Sequence, residues 1–178
     1  AEVGEDCCRS KGHPLTIEFS RENRPLGTGG AVKNARRFIK SNPFFILNGD
    51  SFCPIDYRKF LRFHFSKKAW GSIVLSSVKE NRDFGRVVLD PFQRILEFQE
   101  KPEDRFSAGG YVNAGIYCFS QEIFQGMPKS AVFSLERDLL PALVKKRMYG
   151  FVTDTQFLDI GTPKRYQKAK RIFQLRKG

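Results

Sequence analysis

The strongest constraint on the fold is the regular alternation of short apolar runs with amphipathic stretches along the sequence. Apolar runs such as Pro43–Leu47 and Ser72–Val78 have the length and composition of buried β-strands. Between these two runs, Asp56 is placed to cap a helix that extends to about Lys67. Strands that alternate with helices predict an α/β sandwich, because the helices connect successive strands and cover the faces of the sheet.

Two further patterns describe the predicted sheet. Continuous apolar runs are typical of strands that are covered on both faces, which favours a mostly parallel arrangement. The stretch from Gly85 to Gln99 instead alternates around a turn at Asp90-Pro91, which predicts an inserted β-hairpin. We therefore expect a mixed, mostly parallel sheet, and we expect residues 1–178 to form a single domain.

Other predicted elements lie towards the two ends of the chain. The sequence predicts a strand at Leu15–Ser20 and a helix that Thr28 caps and that extends to about Ile39. It also predicts a helix that begins at Ser134, and a last helix whose start is marked by Thr162-Pro163.

Charge and composition limit the classes of partner. The net charge of +12 favours anionic partners, but residues 162–178 carry seven basic and no acidic residues, which is typical of a solvated helix face. The phenylalanines lie mostly in apolar runs, so we expect no nucleic-acid partner. No apolar run approaches the roughly 20 residues of a membrane span, so we expect no membrane partner. The spacing of the four cysteines fits neither a zinc site nor a disulfide framework, which favours a cytoplasmic location.

A glycine-rich segment follows the first predicted strand and consists of Leu26, Gly27, Thr28, Gly29 and Gly30. Glycines let the backbone approach a flat or anionic ligand closely, and the start of the next helix favours negative charge. The segment has neither the Lys-Ser/Thr of a Walker loop nor Gly-x-Gly-x-x-Gly spacing. A ligand-binding loop and an ordinary flexible loop are therefore equally supported.

Two aspartates follow apolar runs and are candidate metal ligands. Asp50 comes directly after a predicted buried strand, and ligands of α/β sheets bind beyond such strand ends. Asp159 stands among apolar residues, where a carboxylate needs a cation or hydrogen-bond donors. Magnesium takes one or two carboxylates together with substrate phosphates. The alternatives are an Asn48-Gly49 hairpin turn for Asp50 and, for Asp159, hydrogen bonds to the helix N-terminus at Thr162–Lys164.

Three more polar side chains are candidates for ligand contacts. Lys101 is a mobile point charge suited to phosphate, and Glu100 can accept hydrogen bonds from hydroxyls. Asn113 lies in an apolar run, where its amide needs partners and can read sugar hydroxyls as both donor and acceptor. The alternatives are an exposed turn pair at Glu100-Lys101 and, for Asn113, a strand-edge or bulge asparagine beside Gly115.

Taken in order, these stretches resemble the sugar-1-phosphate nucleotidylyltransferases, and most nearly the mannose-1-phosphate and D-glycero-D-manno-heptose 1-phosphate guanylyltransferases. The resemblance rests on seven stretches: Pro25–Ala31, Leu47–Asp50, Gly85–Val88, Phe98–Lys101, Gly110–Tyr117, Phe133–Glu136 and Asp159–Pro163. It implies a Rossmann-like three-layer αβα sandwich. It also implies an enzyme that transfers a nucleotidyl group from a nucleoside triphosphate, by likeness GTP, to a sugar 1-phosphate with release of pyrophosphate.

The resemblance also implies residue roles. It places the nucleotide against Leu26–Gly30 and a magnesium ion on Asp50 and Asp159. It assigns the sugar phosphate to Gly85, Glu100, Lys101 and Asn113. Lys101 and Asp50 are the implied catalytic residues, because the protein must align two anions and offset their repulsion.

One family segment does not occur in this sequence. The family begins with a strand followed by Gly-Gly-x-Gly-Thr-Arg and, further on, Lys-Pro, which grip the triphosphate. We therefore expect an N-terminally truncated domain that has little transferase activity by itself. The alternative is a non-catalytic relative that binds a sugar phosphate or another polyanion, whereas a glycosyltransferase is disfavoured because no Asp-x-Asp pair occurs. The formation of a homo-oligomer stays open.

Overall fold

The computed structural model describes residues 16–80, 86–99, 108–155 and 157–175. The strands of this part, in chain order, are β1 (Phe44–Leu47), β2 (Ser51–Phe52), β3 (Gly71–Glu80), β4 (Arg86–Leu89), β5 (Ile95–Gln99), β6 (Ala108–Phe119), β7 (Met148–Thr153) and β8 (Leu158–Asp159). The helices are α1 (Gly27–Ala35), α2 (Tyr57–Ser66), α3 (Leu140–Leu143) and α4 (Pro163–Leu175), with 3₁₀ turns at Arg36–Phe38 and Gln121–Gly126 and a π-helical turn at Leu135–Leu139.

Strand β6 lies at the centre of the larger sheet. One of its edges pairs with β3, and the other pairs with β1 near Phe119 and with β4 near Val112. All three pairs are antiparallel, and β3 with β7 is the one parallel pair among the described strands. A mostly parallel sheet is therefore wrong for this part of the chain, because an apolar run reports burial on both faces and not strand direction. The mixed sheet and the inserted hairpin β4–β5 are confirmed.

Helical layers cover both faces of this sheet. Along β3, the side chains of Ile73 and Leu75 join one buried cluster together with Leu139 from the π-helical turn. The side chain of Val74 points to the opposite face and joins a second cluster with Phe60 of α2. Successive strand residues point to opposite faces, so the two clusters lie on the two sides of the sheet. The expected three-layer αβα sandwich is confirmed.

Capping hydrogen bonds confirm three of the predicted helix starts. The Asp56 carboxylate accepts hydrogen bonds from two backbone N–H groups in the first turn of α2, at 2.9 and 3.0 Å. Ser134 Oγ and Thr162 Oγ1 each accept from the backbone N–H group three residues further on, at 3.1 and 3.3 Å. These side chains satisfy donors that the first turn of a helix leaves unpaired.

Two predictions near the N-terminus are wrong. Residues 16–20, the described part of the predicted strand Leu15–Ser20, form no strand, because no described strand pairs with their backbone. Helix α1 begins at Gly27, and no side chain caps it. The Thr28 hydroxyl does not cap its own helix because it bonds to a distant segment, where it accepts from the Leu135 N–H group at 2.8 Å.

Candidate active site

Asp50 and Asp159 are far apart in sequence and adjacent in the fold. Strand β2 begins directly after Asp50 and pairs antiparallel with β8, so that Ser51 faces Asp159. The Ile160 N–H group donates to the Asp50 carbonyl oxygen at 2.8 Å. A Cβ atom built on Gly161 would lie 3.0 Å from Asp50 Oδ2 and 3.2 Å from Asp159 Oδ1. The two carboxylates therefore border one small space beside Gly161.

The surroundings of the two carboxylates differ. Asp159 is hydrogen-bonded through both oxygens: the Gly161 N–H group donates to Oδ1 and the Arg165 guanidinium donates to Oδ2, each at 2.7 Å. Asp50 is exposed, and its Oδ1 accepts from the Ser51 hydroxyl at 3.4 Å. The Gly161 N–H group and the Arg165 guanidinium thus hold Asp159 in position, in place of the Thr162–Lys164 donors that the alternative named. The Asp50 carboxylate is exposed.

The donor set tests which metal ion this space suits. Within the described ranges, no group of three or more His, Cys, Asp or Glu side chains is placed to hold a metal ion. A site that needs a complete cage of protein ligands does not fit this part of the chain. Two carboxylates beside one space fit Mg²⁺, because that ion keeps several waters and takes further oxygens from substrate phosphates.

The glycine-rich segment is the start of α1 and not a flexible loop. Gly27 has a φ of +74°, and a Cβ atom there would lie 2.7 Å from the Phe133 carbonyl oxygen. The N–H groups of Gly29 and Gly30 both donate to that same oxygen at 3.1 Å. The glycines therefore allow close packing against the chain's own segment. The N–H groups of Gly29 and Gly30 therefore have a partner within the protein.

A surface depression of about 450 Å³ lies beside this helix start. Gly27 and Thr28 line one side, and residues between Val132 and Asp138 line the other. A volume of this size suits a small ligand. Binding of a nucleotide at Leu26–Gly30 stays a prediction.

Asn113 lies at a bulge in β6. The register between β3 and β6 shifts at this point, and Gly115 has a φ of +71°. Asn113 Oδ1 accepts a hydrogen bond from the Gly115 N–H group at 3.0 Å, so its amide stabilises the bulge. Asn113 is therefore a bulge asparagine beside Gly115, as the alternative to a ligand-binding role stated. An asparagine amide carries two N–H donors and two acceptor lone pairs, so this bond does not exhaust its capacity.

The bulge brings Asn113 close to the segment that carries Asp50. The Asn48 N–H group donates to the Gly115 carbonyl oxygen at 2.8 Å. A Cβ atom on Gly115 would lie 3.0 Å from the Asn48 side chain, which explains why a glycine occupies this position. The predicted sugar residue Asn113 and the predicted metal ligand Asp50 therefore lie on neighbouring segments at one end of β1.

Tyr117 is a candidate functional residue that sequence reasoning missed. Its hydroxyl donates to Glu136 Oε1 at 3.1 Å and accepts from Asn113 Nδ2 at 2.7 Å. Burial raises the pKa of Tyr117 far above its usual value, and the nearby Glu136 charge adds to this effect. The hydroxyl therefore keeps its proton. A tyrosine within an apolar run signals a buried polar partner, but the sequence does not indicate which one.

Glu136 connects the same cluster to the glycine-rich segment. The Thr28 hydroxyl donates to Glu136 Oε2 at 2.6 Å, and the Ser134 hydroxyl donates to the same oxygen at 3.1 Å. The Thr28 side chain is therefore engaged within the protein.

The remaining predicted residues and alternatives are placed as follows. Gly85, Glu100 and Lys101 lie outside the described residues, and their roles stay predictions. Basic side chains of α4, including Lys168 and Arg171, line an open depression of about 810 Å³. None of the helices in the described segments is long and apolar enough to cross a membrane.

Comparison with known proteins gives three findings. The profile of a family described as "Nucleotidyl transferase" matches residues 2–174. The D-glycero-alpha-D-manno-heptose 1-phosphate guanylyltransferase of Aneurinibacillus thermoaerophilus is 37% identical over 163 residues, which cover 91% of this chain and 69% of that protein. The mannose-1-phosphate guanylyltransferase of Mycobacterium tuberculosis is 34% identical over 152 residues, 84% of this chain and 42% of that protein.

A solved structure is similar over the same region. The crystal structure of HddC from Yersinia pseudotuberculosis complexed with GMP-PN has a TM-score of 0.72 and 35% sequence identity. The match covers 85% of this chain and 64% of that chain. The chain therefore spans between about two fifths and two thirds of the length of these relatives.

Proposed function

The chain belongs to the nucleotidyl transferase family, and from this membership we propose that it serves the transfer of a guanylyl group from GTP to a sugar 1-phosphate, with release of pyrophosphate. We further propose that residues 1–178 belong to a single nucleotidyltransferase domain. The observation that carries the proposal is the placement of the Asp50 and Asp159 carboxylates beside Gly161.

The proposed reaction makes a specific demand on the protein. A phosphate oxygen of the sugar 1-phosphate attacks the α-phosphorus of GTP, the new P–O bond forms, and the bond to the pyrophosphate leaving group breaks. The nucleophile is already ionised, so the reaction needs no strong general base. The protein has to align two anions and offset their repulsion.

The proposed residue roles follow from this demand. Asp50 and Asp159 hold Mg²⁺, which, when bound, supplies positive charge to the phosphates. The Leu26–Gly30 segment and the adjacent depression receive the nucleotide, with backbone groups of Gly27 and Thr28 as the exposed contacts. The Asn113 amide contacts a sugar hydroxyl.

Three roles rest on the resemblance. Gly85 lines the sugar pocket, Glu100 accepts a hydrogen bond from a sugar hydroxyl, and Lys101 offsets the charge of the sugar phosphate.

The relatives narrow the substrate class. Those two relatives are guanylyltransferases, which supports guanine as the base. Their names specify mannose 1-phosphate and a D-manno-heptose 1-phosphate, which supports a sugar phosphate of manno configuration.

Isothermal titration calorimetry with GTP and Mg²⁺ tests the proposal. We expect Asp50→Asn and Asp159→Asn each to weaken GTP binding at least tenfold. Each variant lacks one proposed ligand of Mg²⁺, so the ion is held less tightly and compensates the phosphate charge less. The matched control is Asp154→Asn, which neutralises another exposed aspartate. Equal affinities for the wild type and both site variants would contradict the proposal.

A second pair of variants tests the convergence itself. In Gly161→Ala the added methyl group meets both carboxylates, at 3.0 and 3.2 Å, and we expect weaker Mg²⁺-dependent GTP binding. In Gly49→Ala, one residue before Asp50, the added methyl group meets nothing within 4 Å, and we expect unchanged binding. Equal losses in both variants would mean that any change near Asp50 disturbs binding, and the shared space would not be the cause.

Binding of another polyanion is the second candidate function, and the basic depression on α4 favours it. The test is the salt dependence of binding, because binding dominated by phosphate contacts weakens steeply as salt rises.

We also propose a cytoplasmic location, which the buried free thiols of Cys53 and Cys118 support. Association into a homo-oligomer is supported by the exposed side chains of Phe45 and Leu47 on β1.

A further inference from the structure

We propose that Tyr117 and Glu136 are positioning residues that couple the nucleotide segment, the Asp50 segment and the Asn113 bulge through one chain of hydrogen bonds. The inference rests on the proposed function for the identity of the ligands. The chain of hydrogen bonds itself rests on distances between described atoms.

The Tyr117 hydroxyl holds the bulge, and the bulge in turn holds the Asp50 segment. The hydroxyl accepts from Asn113 Nδ2 at 2.7 Å, and Asn113 Oδ1 accepts from the Gly115 N–H group at 3.0 Å. The Gly115 carbonyl oxygen accepts from the N–H group of Asn48, two residues before Asp50, at 2.8 Å. The side chain of Tyr117 is completely buried, so it cannot touch a ligand in the surface depression. Its effect on binding must therefore pass through the residues that it holds.

Glu136 extends this connection to the third segment. One carboxylate oxygen accepts from Tyr117 at 3.1 Å, and the other accepts from Thr28 at 2.6 Å. Hydrogen bonds to an ionised carboxylate are shorter and stronger than neutral ones. The side chains of Tyr117 and Glu136 thus connect Asn113 to Thr28 by an unbroken series of hydrogen bonds.

The physical reason for coupling is the cost of leaving buried polar groups without partners. If the bulge or the segment around Glu136 shifts, the buried Tyr117 hydroxyl loses its bond to Asn113 or to Glu136 in a medium of low dielectric. At the exposed end, the Thr28 segment is held by the short bond of its hydroxyl to the Glu136 carboxylate. The three segments therefore keep their relative positions before any ligand binds. Such preorganisation lowers the cost of ordering two substrates against each other.

The variant Tyr117→Phe tests this coupling without ligand. It keeps the ring and removes only the hydroxyl, and the control Tyr57→Phe removes a hydroxyl from a tyrosine of α2 that is 40% exposed. Hydrogen exchange is followed at three amides whose bonds report on the three segments, those of Gly30, Asn48 and Gly115. We expect exchange about tenfold faster at all three amides in Tyr117→Phe and unchanged exchange in Tyr57→Phe.

Two results of the exchange experiment would overturn the proposal. Faster exchange at Gly115 alone would show that Tyr117 only stabilises its local bulge. An equal increase at amides of the β3–β7 pair would show a general loss of stability in place of coupling.

Calorimetry tests the consequence for ligands. We expect Tyr117→Phe to weaken binding of both GTP and mannose 1-phosphate several-fold, and Glu136→Gln to weaken both less. Because the two residues act in one chain, the double variant should lose less than the product of the single losses. Multiplicative losses would overturn the proposal. If the wild type binds neither ligand, the proposed function fails, while the exchange experiment still decides whether the segments are coupled.

Discussion

At the residue scale, His64 is a buried residue of helix α2 whose side chain points towards the sheet. Its Nδ1 is hydrogen-bonded to the Ser72 hydroxyl at 2.9 Å, and its Nε2 to the Ser120 hydroxyl at 3.0 Å. Burial lowers the pKa of His64 to about 4, and the Glu122 charge opposes this shift. The imidazole is therefore neutral at physiological pH, and its role is structural.

This pKa predicts a pH dependence of stability. Between about pH 6.5 and pH 4 the unfolded state binds a proton that the folded state does not, so the free energy of unfolding falls as the pH falls. His64 contributes a slope of up to about 1.4 kcal/mol per pH unit in this window. We expect His64→Gln to be less stable at pH 7.5 and to lose most of this slope in urea unfolding. An unchanged slope in the variant would show that other groups cause the acid sensitivity.

Residue-scale reading of the sequence identified Asp50, Asp159 and Asn113 as polar side chains in or beside apolar runs. The structure places Asp50 and Asp159 beside Gly161 and brings Asn113 next to the Asn48–Asp50 segment. Tyr117 and Glu136 could not be found in this way. Their partners come from segments that only tertiary packing brings together.

At the scale of elements, the start of α1 is fixed by its contact with the segment around Phe133. The carbonyl oxygen of Phe133 accepts from two N–H groups of the first turn, and the Phe133 N–H group donates to the Leu26 carbonyl oxygen at 3.0 Å. Two first-turn donors of α1, the N–H groups of Gly29 and Gly30, are thus satisfied by backbone and not by a side-chain cap.

This packing predicts a cost for enlarging Gly29. A Cβ atom there would lie 2.3 Å from a ring carbon of Phe133, which forces the ring or the helix to move. We expect Gly29→Ala to lower the free energy of unfolding by about 1–3 kcal/mol in chemical denaturation. Gly49→Ala, whose Cβ meets no atom within 4 Å, serves as the control. Equal stabilities of the two variants would contradict the proposed close packing.

Local signals were sufficient for some elements and insufficient for others. Asp56, Ser134 and Thr162 cap the helices that they were expected to cap, because an N-cap depends on residues within one turn. The Thr28 prediction failed because its hydroxyl bonds to residues more than a hundred positions away. The prediction of a mostly parallel sheet failed for a related reason, since burial on both faces of a strand does not encode its direction.

At the scale of the whole molecule, the net charge of +12 is distributed unevenly. Basic side chains are concentrated on α4, and they line a depression at a different place from the one beside α1. Electrostatic attraction to polyanions and specific binding of GTP are therefore separable by mutation.

Charge reversal on α4 tests this separation. We expect Lys168→Glu with Arg171→Glu to abolish any salt-sensitive binding of single-stranded RNA, because these charges attract phosphates without a specific fit. We expect the same variant to bind GTP with Mg²⁺ as the wild type does. Loss of GTP binding together with RNA binding would favour the polyanion-binding alternative. Filter binding across a salt series and calorimetry provide the two readouts.

The central claim is that Asp50 and Asp159 together hold one divalent ion at the phosphates of the nucleotide. Its most direct test is nuclear magnetic resonance with Mn²⁺ as a paramagnetic substitute for Mg²⁺ in the presence of GTP. We expect Mn²⁺ to broaden the amide resonances of Asp50, Ile160 and Gly161 first, and Asp159→Asn to abolish this selective broadening. Broadening that spares these amides, or that persists unchanged in Asp159→Asn, would contradict the claim.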